Sequence, residues 1–291
     1  TSLWDCGEFI AASYKLQIVH PPGNPMFLMI NRLFSMLAPT EEWVPILINA
    51  QSAISSALAI LFLFWIITHF ARKITVSKGE QPDTGQLIAI MGSGIVGASA
   101  FTFSDTFWFS AVEGETYALS AMLMALVFWL GIKWDNRADQ PGNLKYLLLI
   151  AYIVGVSIGV HLLSLLIIPL IGFFYYFRKF DRITWKGISV TAIVGLVCLG
   201  IVQTGVIKTL PWFASQFELL FVNSFGLPFW SGIFFFIALV FAALTWGIYY
   251  TFKNNRTIIH NGLVGLTFVL IGFSSYSMVV IRSQADPSID M

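Results

Sequence analysis

The densest group of side chains capable of chemistry lies near the start of the chain. Asp5 and Glu8 are three residues apart, so on a helix their carboxylates share one face. Two carboxylates held together near a low-dielectric boundary bind protons more tightly than isolated ones, which is how a general base is tuned. The alternative is that Asp5 only caps a surface helix, because Asp is a favoured N-cap residue.

Three basic or imidazole side chains are candidates for binding an anionic group. His20 precedes two prolines, which hold its backbone extended, and it either binds a phosphate or sits in a rigid turn. His161 either hydrogen-bonds a ligand or satisfies backbone carbonyls where the chain reverses. Arg282 follows the last apolar segment, and a guanidinium suits phosphate geometry, although an arginine at a helix end also serves as an interfacial anchor.

A second acidic segment spans residues 104–117 and contains Asp105, Glu113 and Glu115 among aromatic residues. Acids at the top of an apolar bundle are costly unless they are used or solvated. Asp105 or Glu115 could contact the substrate or hold a divalent cation together with Asp5, and the alternative is an exposed loop with an aromatic belt. No cluster of His or Cys supports a metal centre, so none is predicted, and a divalent cation stays an open alternative.

These side chains must be positioned by membrane helices. The 291 residues are 57% hydrophobic and only 11% charged, which excludes a soluble globular enzyme, a disordered chain and a disulfide-built secreted module. The net charge of +1 gives no field that would attract nucleic acid. The composition therefore predicts an all-α polytopic protein in a lipid bilayer, because only helices satisfy every backbone amide there without closing a barrel.

Apolar segments of sufficient length predict eight spans. They cover residues 43–70, 86–103, 116–133, 144–160, 162–177, 186–205, 230–252 and 257–281. The run 144–177 is divided near Gly159-Val160-His161, because one helix of that length would be about 51 Å long. Residues 24–38 are too short to cross and predict a helix at the membrane surface.

The basic residues predict the orientation. With these spans, twelve of the 16 Lys and Arg residues fall on one side, which the positive-inside rule assigns to the cytoplasm. The chain then divides into an external loop with the acidic motif and surface helix (1–42), an eight-span bundle (43–281) and an external tail (282–291). An external start without Met also predicts that the chain is truncated at its N-terminus and that an earlier span precedes it.

Two further patterns concern packing. Residues 92–97 spell G-x-G-x-x-G, but no strand precedes them, so they predict close helix contact rather than dinucleotide binding. Phe213, Phe217 and Phe221 recur every four residues in the third external segment, 206–229. This stripe predicts an amphipathic helix on the outer leaflet, which either lines the entry of a prenyl chain or is a plain anchor.

The motif W-D-C-G-E-F, followed by Y-K and H-P-P-G-N-P over residues 4–25, resembles the first external loop of GT-C glycosyltransferases. It is closest to protein O-mannosyltransferases and their bacterial relatives. The resemblance implies a GT-C-like helical bundle with external amphipathic loop helices. Asp5 matches the family's loop Asp, which is regarded as the base for the acceptor hydroxyl. Those enzymes usually have Asp and Glu adjacent, whereas here Cys6 follows Asp5.

The resemblance implies an inverting transferase that moves a hexose, by resemblance mannose, from a polyprenyl-phosphate donor to a hydroxyl of an exported protein or glycan at the outer membrane face. Asp5 and Glu8 are then the predicted catalytic residues. The predicted donor-phosphate ligands are Arg282, His20 and His161. Asp105 and Glu115 are assigned to the acceptor or the sugar, and no cofactor is expected apart from the open divalent cation.

Two other classes of protein are weighed against this prediction. A transporter of a small or lipid-linked solute would carry charges near the bilayer midplane and an internal repeat. A structural or assembly subunit needs no convergent polar groups, so scattered positions of Asp5, Glu8 and Arg282 would favour it.

Overall fold

The computed structural model describes residues 5–289. About 80% of the chain is helical, and the described residues form no strand. Between residues 5 and 289, seven helices are long and apolar enough to cross a membrane. The predicted fold class, an all-α polytopic membrane protein, is therefore confirmed.

The first half of the chain forms seven α-helices, three of them short and close to the predicted external side. A 3-10 turn over Glu41–Trp43 leads directly into the third helix. The helices are α1 (Cys6–Lys15), α2 (Pro25–Ser35), α3 (Val44–Thr75), α4 (Thr84–Thr102), α5 (Asp105–Val112), α6 (Thr116–Asp135) and α7 (Leu144–Ile158).

Six α-helices follow, joined in places by tighter or wider turns. The 3-10 segments are Leu162–Leu166 and Ser274–Tyr276, and the π-helical segments are Ile201–Thr209 and Leu220–Ser224. The helices are α8 (Ile167–Lys179), α9 (Trp185–Gly200), α10 (Leu210–Leu219), α11 (Ser231–Lys253), α12 (Thr257–Phe273) and α13 (Ser277–Ser283).

Seven of the eight predicted spans correspond to helical runs of membrane-crossing length. The remaining one, 144–160, is α7, whose 15 residues extend about 22 Å, so the count of eight stays a prediction. The predicted break at 159–161 is confirmed, since α7 ends at Ile158 and a 3-10 turn begins at Leu162.

The third external segment differs from its prediction. The run Trp185–Ser224 is helical over 40 residues, so the helix continues beyond residue 205, where the predicted span ends. Wider π turns carry the chain through this region without ending the helix. The stripe of phenylalanines packs against α11, with ring centroids of Phe217 and Phe236 5.4 Å apart and those of Phe221 and Phe235 5.1 Å apart. The stripe is thus used to pair two helices.

The two ends of the bundle differ in charge and in content. At the basic end, Lys73 of α3 pairs with Asp135 at the end of α6 at 2.9 Å, and Arg178 of α8 pairs with Asp139. A mainly apolar cavity of about 330 Å³ borders Trp134 and Tyr175, and another of about 230 Å³ borders Lys73 and Asp135. No predicted site residue lines either cavity.

At the opposite end, α1 and α2 pack into the bundle. Phe9 and Phe27 are buried edge to face, with ring centroids 5.2 Å apart, and join a core that contains Leu119 of α6 and Val160. The predicted helix within 24–38 is confirmed as α2. Its apolar face packs against α1 and α3 rather than against lipid alone, and this burial stabilises the position of the segment that carries Asp5 and Glu8.

Glycines allow several helices to approach closely. In α4, a Cβ added to Gly94 would meet Thr68 and Phe64 of α3 below 3.0 Å, which confirms that the G-x-G-x-x-G string serves packing. In α7, a Cβ on Gly155 would clash with the carbonyl oxygen of Val269. Gly272 of α12 approaches the carbonyl oxygen of Tyr152 in the same way, so α7 and the last span are in backbone contact.

Candidate functional site

Asp5, Glu8 and His20 form one cluster at the end of the bundle that carries α1 and α2. One ligand-type atom from each lies within 4.8 Å of the others. Asp5 occupies the position before α1, yet its side chain makes no capping hydrogen bond to the helix. The alternative role of Asp5 as an N-cap is therefore not realised, and its carboxylate is turned to the cluster.

Glu8 is committed to His20 through both carboxylate oxygens. Its Oε1 accepts a hydrogen bond from the His20 backbone N–H at 2.7 Å, and its Oε2 lies 2.9 Å from Nδ1 of the ring. This hydrogen bond is the main cause that raises the pKa of His20, assisted by the charge of Asp5. The structure thus brings both predicted residues together, with Glu8 holding His20 in place and favouring its cationic form.

By residue type, the same three side chains could hold a divalent cation. However, both oxygens of Glu8 are already engaged with His20, one with its backbone N–H and one with Nδ1 of its ring. The geometry is that of a hydrogen-bonded ion pair, and Asp105 does not belong to the cluster. Asp105 lies exposed in the first turn of α5.

Glu115 is the buried carboxyl of the site, with 4% of its surface exposed. Its Oε2 accepts from the N–H of Thr116 at 3.1 Å, while its Oε1 is buried without a hydrogen-bond partner among residues 5–289. The pKa of Glu115 is raised to about 7, mainly by burial and in smaller part by the charges of Asp5 and Glu113, while the hydrogen bond from Thr116 and the charge of His20 oppose the rise. The carboxyl therefore titrates near neutral pH beside the Asp5 cluster.

The position of Glu115 depends on the glycine before it. A Cβ added to Gly114 would meet Ile48 of α3 at 3.0 Å and Ile10 of α1 at 3.2 Å. The absence of a side chain lets the start of α6 press against both helices. This contact buries Glu115 next to α1, which sequence spacing alone does not reveal.

His161 lies in the turn between α7 and α8. Its Nδ1 accepts a hydrogen bond from the Leu163 backbone N–H at 3.0 Å, so it caps the 3-10 turn instead of satisfying carbonyls. Burial lowers its pKa, which favours the neutral ring. The turn is bound to the start of α2, because Asn24 Nδ2 donates to the Val160 carbonyl at 2.7 Å and the Met26 N–H donates to the Gly159 carbonyl at 2.8 Å.

Arg282 lies at the end of α13, close to the His20 loop in the fold. Gly23, with φ +91°, faces Val279 so closely that a Cβ would lie 3.3 Å from its Cγ2, and the Ile18 N–H donates to the Ile289 carbonyl at 3.1 Å. The Nε of Arg282 is buried and has no hydrogen-bond partner within the described chain. A buried donor of this kind is suited to an anionic oxygen.

The sequence did not single out Tyr117 or Asn24 as part of this region. Tyr117 lies two residues after Glu115, and its ring centroid is 5.1 Å from that of His161. Asn24 is buried with a left-handed backbone, φ 37°, and its amide connects α2 to the His161 turn. The only signal for Asn24 was its place in the H-P-P-G-N-P turn, and Tyr117 gave none beyond its nearness to Glu115.

Comparison with known proteins gives a consistent result. A family described as "Protein O-mannosyl-transferase TMEM260 N-terminal domain" matches residues 5–184. The chain is similar to protein O-mannosyl-transferase tmem260 of Dictyostelium discoideum, with 25% identity over 182 residues that cover 57% of this chain and 19% of the relative. It is also similar to protein O-mannosyl-transferase TMEM260 of Mus musculus, with 25% identity over 154 residues, 53% of this chain and 19% of the relative.

The chain thus spans about a fifth of the length of these curated relatives. No solved structure matches it. The family match covers well over half of the chain and includes α1, the His20 loop, Glu115 and the His161 turn, all of which build the site. The predicted O-mannosyltransferase-like family is therefore confirmed, and the chain belongs to the family of TMEM260 N-terminal domains.

Proposed function

We propose that this chain carries the catalytic site of an inverting mannosyltransferase, which moves mannose from a polyprenyl-phosphate donor to a hydroxyl of an exported protein. The observation that carries the proposal is the meeting of the Asp5 carboxylate, the Glu8-held His20 imidazole and the buried Glu115 at one end of a membrane bundle. The names of the similar proteins support the transfer of mannose to protein. The membrane fold supports a lipid-linked donor.

Asp5 acts as the base in this proposal. It removes the proton of the acceptor hydroxyl while the hydroxyl oxygen forms a bond to the anomeric carbon, a contribution of ~10²–10⁴-fold in rate. When Glu115 is ionised, its charge favours the positive charge that develops at the anomeric carbon. Asp105, exposed on α5 outside the cluster, would contact the acceptor in this proposal.

His20 and Arg282 stabilise the leaving group. The bond between the anomeric carbon and the phosphate oxygen breaks, and its electron pair departs with the lipid phosphate. The imidazolium of His20 and the guanidinium of Arg282 offer charge-assisted hydrogen bonds to that oxygen. Attack from one face and departure from the other give inversion. Because two cations serve a monophosphate, no metal is required, and a chelator such as EDTA should leave the rate unchanged.

The outer membrane face is proposed from the distribution of charge. Lys73, Arg178 and ten further basic residues belong to the segments assigned to the cytoplasm, and the ion pairs of Lys73 and Arg178 lie at one end. The Asp5 cluster lies at the other, where α3 and α6 begin. The site then faces the compartment into which exported proteins emerge.

The test replaces Asp5 by Asn in the full chain and measures transfer from a labelled mannosyl-phosphate lipid to a Ser/Thr peptide in membranes. We expect turnover to fall by ~10²–10⁴-fold, with Glu42→Gln, an exposed acid on the same side, as the unaffected control. Turnover within twofold of the native chain would remove Asp5 from the mechanism. Passage of label across sealed vesicles without covalent transfer would favour the transporter class instead.

A further inference from the structure

We propose that Tyr117 and His161 form the subsite that binds the hexose of the donor. The inference rests on the proposed function and adds to it the pair of side chains that recognise the sugar itself. Tyr117 would lie against the C–H face of the pyranose ring, and the free ring N–H of His161 would donate to a sugar hydroxyl.

The hydrogen-bonding state of His161 is fixed by its surroundings. Because Nδ1 accepts from the Leu163 N–H at 3.0 Å, that nitrogen carries no hydrogen, and in the neutral ring the hydrogen resides on Nε2. Nε2 has no hydrogen-bond partner in the part of the chain that the structure describes. A neutral ring with one directed donor suits an uncharged hydroxyl better than a phosphate, for which His20 and Arg282 are the charged partners.

Tyr117 provides an aromatic surface next to this donor. Its side chain is 45% exposed although it belongs to the first turn of α6, and its ring lies 5.1 Å from the His161 ring at an interplanar angle of 50°. A hexose has apolar C–H faces and a polar hydroxyl edge, and aromatic rings with an adjacent polar group match that pattern. The two rings therefore form a corner with one apolar wall and one donor.

The corner is rigid and adjoins the catalytic cluster. The hydroxyls of Ser120 in α6 and Ser164 in the following turn are 2.7 Å apart and buried, which fixes the two walls relative to each other. Glu115, two residues before Tyr117, is electrostatically coupled to Asp5 and His20. The His161 turn is hydrogen-bonded to Asn24 and Met26, only a few residues after His20. A sugar in the corner would thus have its anomeric carbon beside the proposed base and phosphate ligands.

The experiment measures binding and turnover of the full chain in membranes or nanodiscs with two probes. One is mannosyl-phosphoryl polyprenol, and the other is the same polyprenyl phosphate without sugar. His161→Asn is the main variant, because Asn Oδ1 replaces Nδ1 as the cap of the turn but provides no donor at the Nε2 position. Tyr117→Leu removes the aromatic wall, and Trp108→Leu, an exposed aromatic of α5, is the matched control.

We expect His161→Asn and Tyr117→Leu each to weaken binding of the sugar-bearing lipid and to raise KM by about tenfold. Binding of the bare lipid phosphate should stay within twofold, and thermal stability should match the native chain. His161→Gln, whose Nε2 can approach the same hydroxyl, should recover part of the loss. A purely structural role of the pair would weaken both lipids equally.

The outcomes separate this inference from the proposed function. If the native chain prefers the sugar-bearing lipid and both variants retain that preference, the subsite is wrong and the proposed function stands. If both variants lower the affinity for the two lipids equally, the subsite is also wrong. If the native chain does not distinguish the two lipids, both proposals fail.

Discussion

Two glutamates, each beside the N-terminus of a helix, differ in how many hydrogen bonds their carboxylates accept. Glu218, on the helical run that precedes α11, accepts hydrogen bonds from the N–H groups of Trp230 at 2.5 Å and of Gly232 and Ile233 at 3.0 Å each. Glu115, before α6, accepts one bond from Thr116 and leaves its other oxygen buried and unpartnered.

The difference separates a structural carboxylate from the one that we propose to act in catalysis. At Glu218, three N–H donors and the positive end of a helix dipole compensate the charge, so the hairpin of α10 and α11 is closed by an ionic cap. At Glu115, desolvation is only partly compensated, and the group holds a proton near pH 7. A buried carboxyl whose desolvation is not compensated by hydrogen bonds lowers the stability of the fold. Such groups are concentrated at functional sites, where their ionisation takes part in the chemistry.

The largest expected effect is on catalysis at Glu115. We expect Glu115→Gln to lower kcat at pH 8 by about 100-fold, because Gln retains the shape of the side chain but cannot ionise beside Asp5. Glu218→Gln should change kcat by less than about twofold when assayed below its unfolding temperature. Mannose transfer from the labelled lipid measures both, and equal losses in the two variants would remove the distinction between them.

The two substitutions should change stability at pH 8 in opposite directions. Glu218→Gln replaces an acceptor by an amide group facing N–H donors and should cost about 1–3 kcal/mol. The pKa of Glu115 is higher in the folded chain than in the unfolded one, so its contribution to stability is full below pH 4.5 and is lost as the pH rises through about 7. Glu115→Gln should therefore gain up to about 3 kcal/mol at pH 8. Thermal unfolding in nanodiscs checks the signs, and a loss in both variants would contradict the comparison.

The pH dependence of turnover tests the same carboxyl without a change of shape. Because ionised Glu115 is the assisting form, kcat of the native chain should rise with an inflection near pH 7, about tenfold between pH 6 and pH 8. The profile of Glu115→Gln should lack this rise, and that of Glu218→Gln should follow the native chain. An inflection that persists in Glu115→Gln would assign the titration to another group.

The smallest expected effect concerns the neighbour of Glu115. The charge of Glu113 contributes to the raised pKa of Glu115, so Glu113→Gln should move the inflection of the kcat profile slightly toward lower pH. The value of kcat at pH 8 should change by less than about twofold. A displacement toward higher pH would show that Glu113 does not act through its charge.

The sequence predicted much of the fold because membrane helices follow local rules. Apolar length located seven spans, and the implausible length of 144–177 led to the break at 159–161. Asp5, Glu8 and His20 could be grouped because they lie within sixteen residues in one turn-rich segment. The long run Trp185–Ser224 was missed, since its contact with α11 depends on rings that are distant in sequence.

The rest of the site arises from tertiary contact. The burial of Glu115 requires Gly114 to meet Ile10 and Ile48, and no local pattern connects those positions. The pairing of Tyr117 with His161 joins residues 44 positions apart across two helices. Sequence spacing can therefore identify a carboxyl such as Glu115 as a candidate, but it cannot predict which carboxyl becomes buried.

The backbone contact between α7 and the last span defines the smallest unit that can hold the site. The family match ends at residue 184, yet Gly155 touches Val269, and Gly23 faces Val279. The region that is similar to the family is therefore shorter than the region whose packing contacts surround the site. A methyl group at Gly155 would push the final helix outward together with Arg282. A substitution far from the cluster would thus displace the guanidinium that we propose as a ligand of the donor phosphate.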